Sequence, residues 1–463
     1  MLIPFFFALL SFIGCASALS HPVERRTTVL SPNNDPFYDP PSGWESASPG
    51  DVLRSRKVKL AFLQIEEYKY KAAYQLLYRT TGAYEHNAST TVTTVIIPYN
   101  AVKNKLVNYL VYTDANGAQC APSYAMQLGA AVGTELGLTY QQLLMNTFLD
   151  QGWILTVADY QGPTRGFAAG RMEGRMALDA TRATLNFERA GLSKNSEVVT
   201  YGYSGGAIAS GWAAAQQSSY APKINAIGYG MGGTPANLSG TVENLNSNLF
   251  AGFAVTGVTG LLYTYPKLLA WAQNRITDKG RQAIEFARSN CLVNVLLEFP
   301  FIKFLSDTYV ENGAKLLYDP VVRSIVGDIV LGLKKSETPV APVYMFHGLH
   351  DEVIPYGDAI KAARNWTNHG ADVYFQEYTD VASEHLVTEL TGIPNLLFFV
   401  RDRFAGKPFP KGFRHTTTDS GLDGIDAKAQ GIASLVSSIE DIIGKEVGPA
   451  DSILKTRIAA NAH

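Results

Sequence analysis

Charge is sparse in this chain of 463 residues. Asp, Glu, Lys and Arg make up 17%, the formal net charge is −2, and nowhere do Lys and Arg gather with interleaved aromatics. Nucleic acid binding, which rests on clustered cations, is not expected. No His, Cys, Asp and Glu constellation has metal-ligand spacing, and no glycine loop has the spacing of a phosphate cradle, so neither metal nor other cofactor is expected. A transmembrane segment is also missing. The apolar run 4–14 is too short to span comfortably, and the charge-free stretch 244–266 is interrupted by Gly, Asn and Thr. Disorder is excluded by a 46% share of hydrophobic residues. What is left is a large, compact, globular chain without internal repeats.

Cysteine is scarce too. The run 4–14 ends in Ala16-Ser17-Ala18, which reads as a signal peptide cleaved after Ala18, although its start carries no Lys or Arg. Arg25-Arg26 reads equally as a second processing site or as a surface charge pair. Removing the signal takes Cys15 and leaves Cys120 and Cys291. In an oxidising compartment these two are expected to pair. Sequons at Asn87, Asn237 and Asn365 fit the same secreted context.

The chemistry concentrates in Tyr201-Gly202-Tyr203-Ser204-Gly205-Gly206. A β-rich run, 197–201, precedes it and a small-residue run, 207–215, follows. A Gly-x-Ser-x-Gly motif between strand and helix forces a serine out at a strained turn, and side chains at 202 or 206 would collide with neighbouring backbone. An acid and then a histidine should follow. Asp351 sits 147 residues on, just past a buried run at 342–346, and His385 comes 34 residues later, after the run 373–378. His347 and His350 lie too near Asp351 and read as shaping its turn. His369 reads as a helix cap before Gly370, and His415 is the reserve base. Asp380 and Glu384 read as structural. Asp159 ends another strand and remains the rival acid.

Strand candidates recur at 91–97, 106–112, 153–158, 197–201, 224–229, 343–346 and 373–378, with helical runs such as 139–149 and 175–190 between them. This alternation predicts an α/β fold with a mostly parallel sheet covered on both faces. The alternation stops at 235–339, an apolar and mainly helical insertion whose run 249–263 could line a channel or be ordinary buried helix. The expected organisation is a signal at 1–18, an irregular leader at 19–55, a first core part at 56–234, a helical cap at 235–339, a second core part at 340–405 and a C-terminal segment at 406–463.

Serine becomes nucleophilic when a base takes its proton, here His385 oriented by Asp351. The oxyanion needs preorganised N–H donors. One is Gly205, just after the serine, and the other should come from the loop 110–117, where no HGGG-type sequence occurs. The chain resembles the fungal secretory lipase family, the Candida antarctica lipase A-like group of the α/β-hydrolases. The resemblance spans roughly residues 35–405 and rests on Tyr112-Thr113-Asp114, Cys120-Ala121-Pro122-Ser123-Tyr124, Gly202-Tyr203-Ser204-Gly205-Gly206, His350-Asp351 with Ile354-Pro355, and Glu384-His385. It implies an α/β-hydrolase core with an inserted helical cap. It also implies Ser204, Asp351 and His385 as a triad, Asp114 with Gly205 at the oxyanion hole, and a Cys120–Cys291 bridge from the oxyanion loop to the cap.

The expected activity is secreted carboxylic-ester hydrolysis through an acyl-enzyme, as a lipase or esterase acting on an apolar small-molecule or lipid ester. The family is also similar to esterases that deacetylate fungal secondary metabolites, such as trichothecene C-3 esterases. An acyltransferase, a peptidase and a catalytically silent binding protein are the readings from other classes.

Overall fold

The computed structural model describes residues 29–62, 66–67, 70–84, 87–131 and 136–419. The signal at 1–18, Cys15, Arg25-Arg26 and most of the C-terminal segment lie outside the described residues.

A ten-stranded sheet forms the centre. In chain order the strands are β1 (Val52–Val58), β2 (Ala61–Phe62), β3 (Glu66–Glu67), β4 (Ala72–Thr81), β5 (Ala88–Ile97), β6 (Lys105–Leu110), β7 (Ile154–Ala158), β8 (Glu197–Tyr203), β9 (Ala226–Gly232), β10 (Val343–Gly348), β11 (Val373–Tyr378) and β12 (Phe413–Thr418). The two-residue strands β2 and β3 pair only with each other. The rest lie in the order β1-β4-β5-β7-β6-β8-β9-β10-β11-β12. Neighbours from β7 to β12 are parallel, and β1, β4 and β5 add an antiparallel edge. Central strands such as β7 and β10 are buried along their whole length. They therefore read as continuous apolar runs, as strands covered on both faces do.

Helices Gly170–Asn186, Gly205–Tyr220 and Tyr356–Asn368 cover one face, around Met176, Trp212 and Trp366. Helices Leu136–Asp150 and His385–Phe404 cover the other, around Phe148, Leu396 and Phe404. Between β9 and β10 the chain leaves the sheet for a string of helices that includes Leu238–Leu245, Gly252–Thr264, Asp278–Ser289 and Leu292–Glu298. These have their own core of Ala254, Val255, Ala287, Val295 and Phe299, which takes in Val353 and Ile354 from the turn after β10.

Two expected boundaries cut through the sheet. A leader ending at 55 divides β1, and a core ending at 405 leaves out β12, which pairs in parallel along β11 from Val373↔Phe413 to Tyr378↔Thr418. Both are edge strands of mixed polarity, with only Val58 of β1 buried and none of β12, so neither gives an apolar run. The helical run expected at 175–190 is the helix Gly170–Asn186, followed by a separate 3₁₀ turn, Glu188–Ala190. Of the three sequon asparagines, Asn87 is exposed, while Asn237 and Asn365 are half-buried.

Cys120 and Cys291 are joined by a disulfide across 171 residues of sequence. The bridge sits in a small apolar cluster with Ala115, Leu292 and Leu296, so it fastens the loop after β6 to the helical insertion. Closing so long a loop is worth at most about 5 kcal/mol on the chain-entropy model. The double replacement Cys120→Ser/Cys291→Ser is expected to lower unfolding free energy by about 2–5 kcal/mol in a denaturant titration. An unchanged midpoint would show that the bridge does not stabilise this fold.

Candidate active site

β8 ends at Tyr203 and the helix Gly205–Tyr220 begins two residues later. Ser204 makes the turn at φ 51° and ψ −121°, a backbone state that costs energy for a residue with a side chain. Its surroundings hold it there. Ser204 N–H donates to Gly232 O at 2.9 Å, and Ser204 O accepts from Ala207 N–H at 2.8 Å. A Cβ at Gly202 would lie 2.1 Å from Gly206 O, and one at Gly206 would lie 2.0 Å from Leu110 O. Strand and helix approach too closely for any residue but glycine at these positions.

His385 is the first residue of the helix His385–Phe404. Its Nε2 lies 2.8 Å from Ser204 Oγ, and its Nδ1 lies 2.7 Å from Asp351 Oδ2. Asp351 is in the turn after β10, and its Oδ1 accepts from Val353 N–H at 3.0 Å and Ile354 N–H at 2.7 Å. The three sequence-nominated residues thus meet in one hydrogen-bonded line, although 181 positions separate Ser204 from His385. Burial would raise the Asp351 carboxyl. The His385 charge and hydrogen bonds from His347 and His385 outweigh it and hold the carboxyl well below its usual range. For His385 burial favours the uncharged ring, but Asp351, Glu352 and Glu389 prevail and raise its pKa.

The rival residues lie elsewhere. Asp159 accepts from Ser123 N–H at 2.9 Å and from Ser123 Oγ–H, so it anchors the Cys-Ala-Pro-Ser-Tyr segment. His415, on β12, bonds Glu377 Oε2 at 2.7 Å. His369 is the C-cap of the helix Tyr356–Asn368, and His350 is exposed. Asp380 caps its own turn through Ala382 N–H at 2.8 Å, and Glu384 is the N-cap of the His385 helix.

Asp114 lies on the loop after β6 with φ 51°, buried. Its carboxyl packs so closely on Gly205 that a Cβ there would meet Asp114 Oδ1 at 1.8 Å. Among the described residues, neither the Asp114 nor the Gly205 N–H is taken up by a hydrogen bond. Two unspent N–H groups beside a serine are what a developing oxyanion requires.

Residues 117–412 match the family model described as secretory lipase. The chain is 50% identical over 449 residues to the secreted triacylglycerol lipase LIP3 of Malassezia restricta, covering 97% of this chain and 95% of that one. It is 58% identical over 375 residues to the secreted triacylglycerol lipase LIP5 of Malassezia furfur, covering 81% and 98%.

The chain belongs to the secretory lipase family.

The solved structure of Candida antarctica lipase A in its closed state superposes with a TM-score of 0.81 at 30% identity, covering 90% of this chain and 96% of that one. The fold is therefore that of the α/β-hydrolases, and this lipase is a secreted carboxylic-ester hydrolase. Among the described residues no helix is long and apolar enough to cross a membrane.

Sequence reasoning missed several side chains around this candidate site. Tyr203 Oη–H donates to His385 O at 2.6 Å, and Glu352 Oε2 accepts from His385 N–H at 2.9 Å. Each is adjacent in sequence to a nominated residue, and that adjacency was the available signal. Glu389 lies one turn along the His385 helix and accepts from Tyr112 Oη–H at 3.2 Å. Burial pushes its carboxyl up to about 8. Burial also pushes Asp114 up to about 7, with His385 pulling the other way.

An apolar cavity opens from Ser204 and Gly205 between Phe167, Ile208, Phe253 and Val353. A second one, of about 110 Å³, lies deeper in the helical insertion among Trp271, Ile284, Phe304 and Val322. Leu238, Val242, Val258 and Leu261 line both cavities and form the wall between them. Of the expected channel residues, Phe253 lines the first cavity. Val255 belongs instead to the insertion's own core, because it lies on the opposite side of the helix Gly252–Thr264.

Proposed function

We propose that this lipase hydrolyses long-chain acyl esters, triacylglycerols among them, with Ser204 as nucleophile, His385 as base and Asp351 as its orienting acid. The observation that carries the reading is the line from Ser204 Oγ to His385 Nε2 at 2.8 Å and from His385 Nδ1 to Asp351 Oδ2 at 2.7 Å. Ser204 Oγ attacks the ester carbonyl while its proton passes to His385 Nε2. The carbonyl oxygen becomes an oxyanion between the N–H groups of Asp114 and Gly205. Collapse expels the alcohol, which takes the proton from His385. Water then repeats the sequence against the acyl-enzyme, releasing the acid and restoring Ser204.

The helical insertion, residues 235–339, is on this reading the cap that selects the acyl group. Its support is the pair of apolar cavities, which match the names of the Malassezia relatives better than a short acetyl group does. A Val258→Trp variant, which fills the shared wall, is expected to lower hydrolysis of a C16 p-nitrophenyl ester by about tenfold or more while leaving the acetate ester within about threefold. Equal loss on both esters would remove the acyl-channel reading. Faster turnover of an acetylated sesquiterpenoid than of any long-chain ester would favour a metabolite deacetylase.

A further inference from the structure

The turn that carries Asp351 holds a second histidine close to its carboxylate. His347 is on β10, wholly buried, with Nε2 3.1 Å from Ile354 O and 3.3 Å from Asp351 Oδ2. Both neighbours are acceptors, so Nε2 carries the ring proton. Nδ1 is buried and has no partner among the described residues. Asp351 thereby receives three hydrogen bonds and one further N–H contact. Val353 and Ile354 N–H serve Oδ1, His385 Nδ1–H serves Oδ2, and His347 Nε2, whose proton is directed at Ile354 O, approaches Oδ2 at 3.3 Å. A carboxylate offers about four lone-pair sites, and here three accept hydrogen bonds while His347 Nε2 lies beside the fourth. Ile354 donates its N–H to Asp351 and accepts from His347 through its carbonyl, so His347 also pins the turn that sets the direction of the carboxylate.

A merely space-filling histidine would need only the carbonyl of Ile354. The approach of Nε2 to Oδ2, the same oxygen that meets His385, calls for another account. We infer that His347 is a positioning residue for ester hydrolysis, acting through Asp351 by fixing the carboxylate toward His385 and sharing its negative charge. The inference rests on the assignment of Ser204, His385 and Asp351 made above.

Charge shared with His347 is charge that stabilises the His385 imidazolium less. Without the His347 donor, Asp351 would hold the proton on His385 more tightly, and the uncharged base would appear only at higher pH. Other groups face these residues and act in both forms. Glu352 from the same turn, Glu389 from the His385 helix and Asp114 from the loop after β6 all couple to His385. Tyr203 holds the His385 carbonyl, and the Tyr356 ring lies edge-on to His347 at 5.9 Å.

The test is the pH dependence of kcat/KM on a soluble short-chain ester. His347→Phe keeps a ring against Tyr356 and removes the donor. It is expected to lower kcat by about tenfold with KM within about twofold, and to move the acid limb upward by roughly half to one pH unit. His347→Asn, whose amide falls short of the Nε2 position, should move the limb in the same direction and serves if the phenylalanine variant does not fold. His347→Gln, with an N–H at the right reach, should bring the limb back toward the wild-type position. A loss of kcat with an unmoved acid limb, or a glutamine variant that behaves like phenylalanine, would overturn the inference and leave His347 as packing. Organophosphonate labelling of the wild-type lipase separates the two layers: failure to modify Ser204 refutes the triad assignment, whereas labelled Ser204 with an unmoved limb refutes only the part given to His347.

Discussion

Ser204→Ala is expected to lower kcat on a p-nitrophenyl ester by roughly five to six orders of magnitude, with the fold retained. The size follows from the proposed mechanism. Without Oγ there is no acyl-enzyme, and only binding and the N–H groups of Asp114 and Gly205 remain to assist direct attack by water. Retention of the fold follows from the contacts. Among the described residues the only side-chain hydrogen bond of Ser204 is to His385 Nε2, while its backbone bonds to Gly232 and Ala207 do not involve Oγ. Alanine carries the same Cβ through the strained turn, so the strain is unchanged. Thermal unfolding and the steady-state rate measured on one preparation check both halves. Turnover close to wild type, or an organophosphonate adduct on another serine, would remove Ser204 from the chemistry.

The part of this site that sequence made legible is the part whose physics is local. An elbow needs glycines within four residues of one serine and a strand and helix at its flanks, so residues 197–215 declared it alone. Asp351 and His385 could be nominated because parallel sheets deliver such groups at strand ends in a fixed chain order. The choice against Asp159 and His415 was not local. It rests on Asp159 meeting Ser123 and on His415 lying two strands beyond β10 at the sheet edge. No periodicity reports either fact.

The same distinction explains the fold. The strands β5 to β11 announced themselves through largely apolar runs, whereas β4, second from the edge, did not, because Gln75, Arg79, Thr80 and Thr81 interrupt it. The edge strands β1 and β12 did not, because a strand with one solvated side and an open edge keeps its polar residues. The carboxyls of Glu389 and Asp114 were illegible as chemistry for a related reason. Their pKa values are set by burial, which is a property of the folded packing around them. The two cavities are likewise products of packing between helices more than 80 residues apart, from Leu238 to Val322.

His385→Ala is expected to be about as damaging as Ser204→Ala, and the double variant hardly worse than either single one. In the proposed mechanism nucleophile and base act as one unit. Once Ser204 cannot lose its proton, removing the hydroxyl as well takes away little more. His369→Ala and His415→Ala should stay within a few-fold of wild type, because one caps a helix and the other bonds Glu377. Asp351→Asn should lose about 10⁴ in kcat, since an amide in that position favours the wrong histidine tautomer. The pH profile carries the sign. Asp351 raises the His385 pKa above its ordinary value, and the base works only when unprotonated. Activity therefore falls as pH drops through that raised value, and the acid limb should lie above the value of a free histidine. Binding of the charged His385–Asp351 pair works the other way for stability. The raised His385 contributes stability below its unfolded pKa and loses it as pH climbs through the folded one, so the folded state tolerates mild acid better than the chemistry does. Comparing the midpoint of the acid limb with the midpoint of acid unfolding tests this ordering. Unfolding at or above the pH where activity disappears would mean that the limb reports loss of the fold and not protonation of His385.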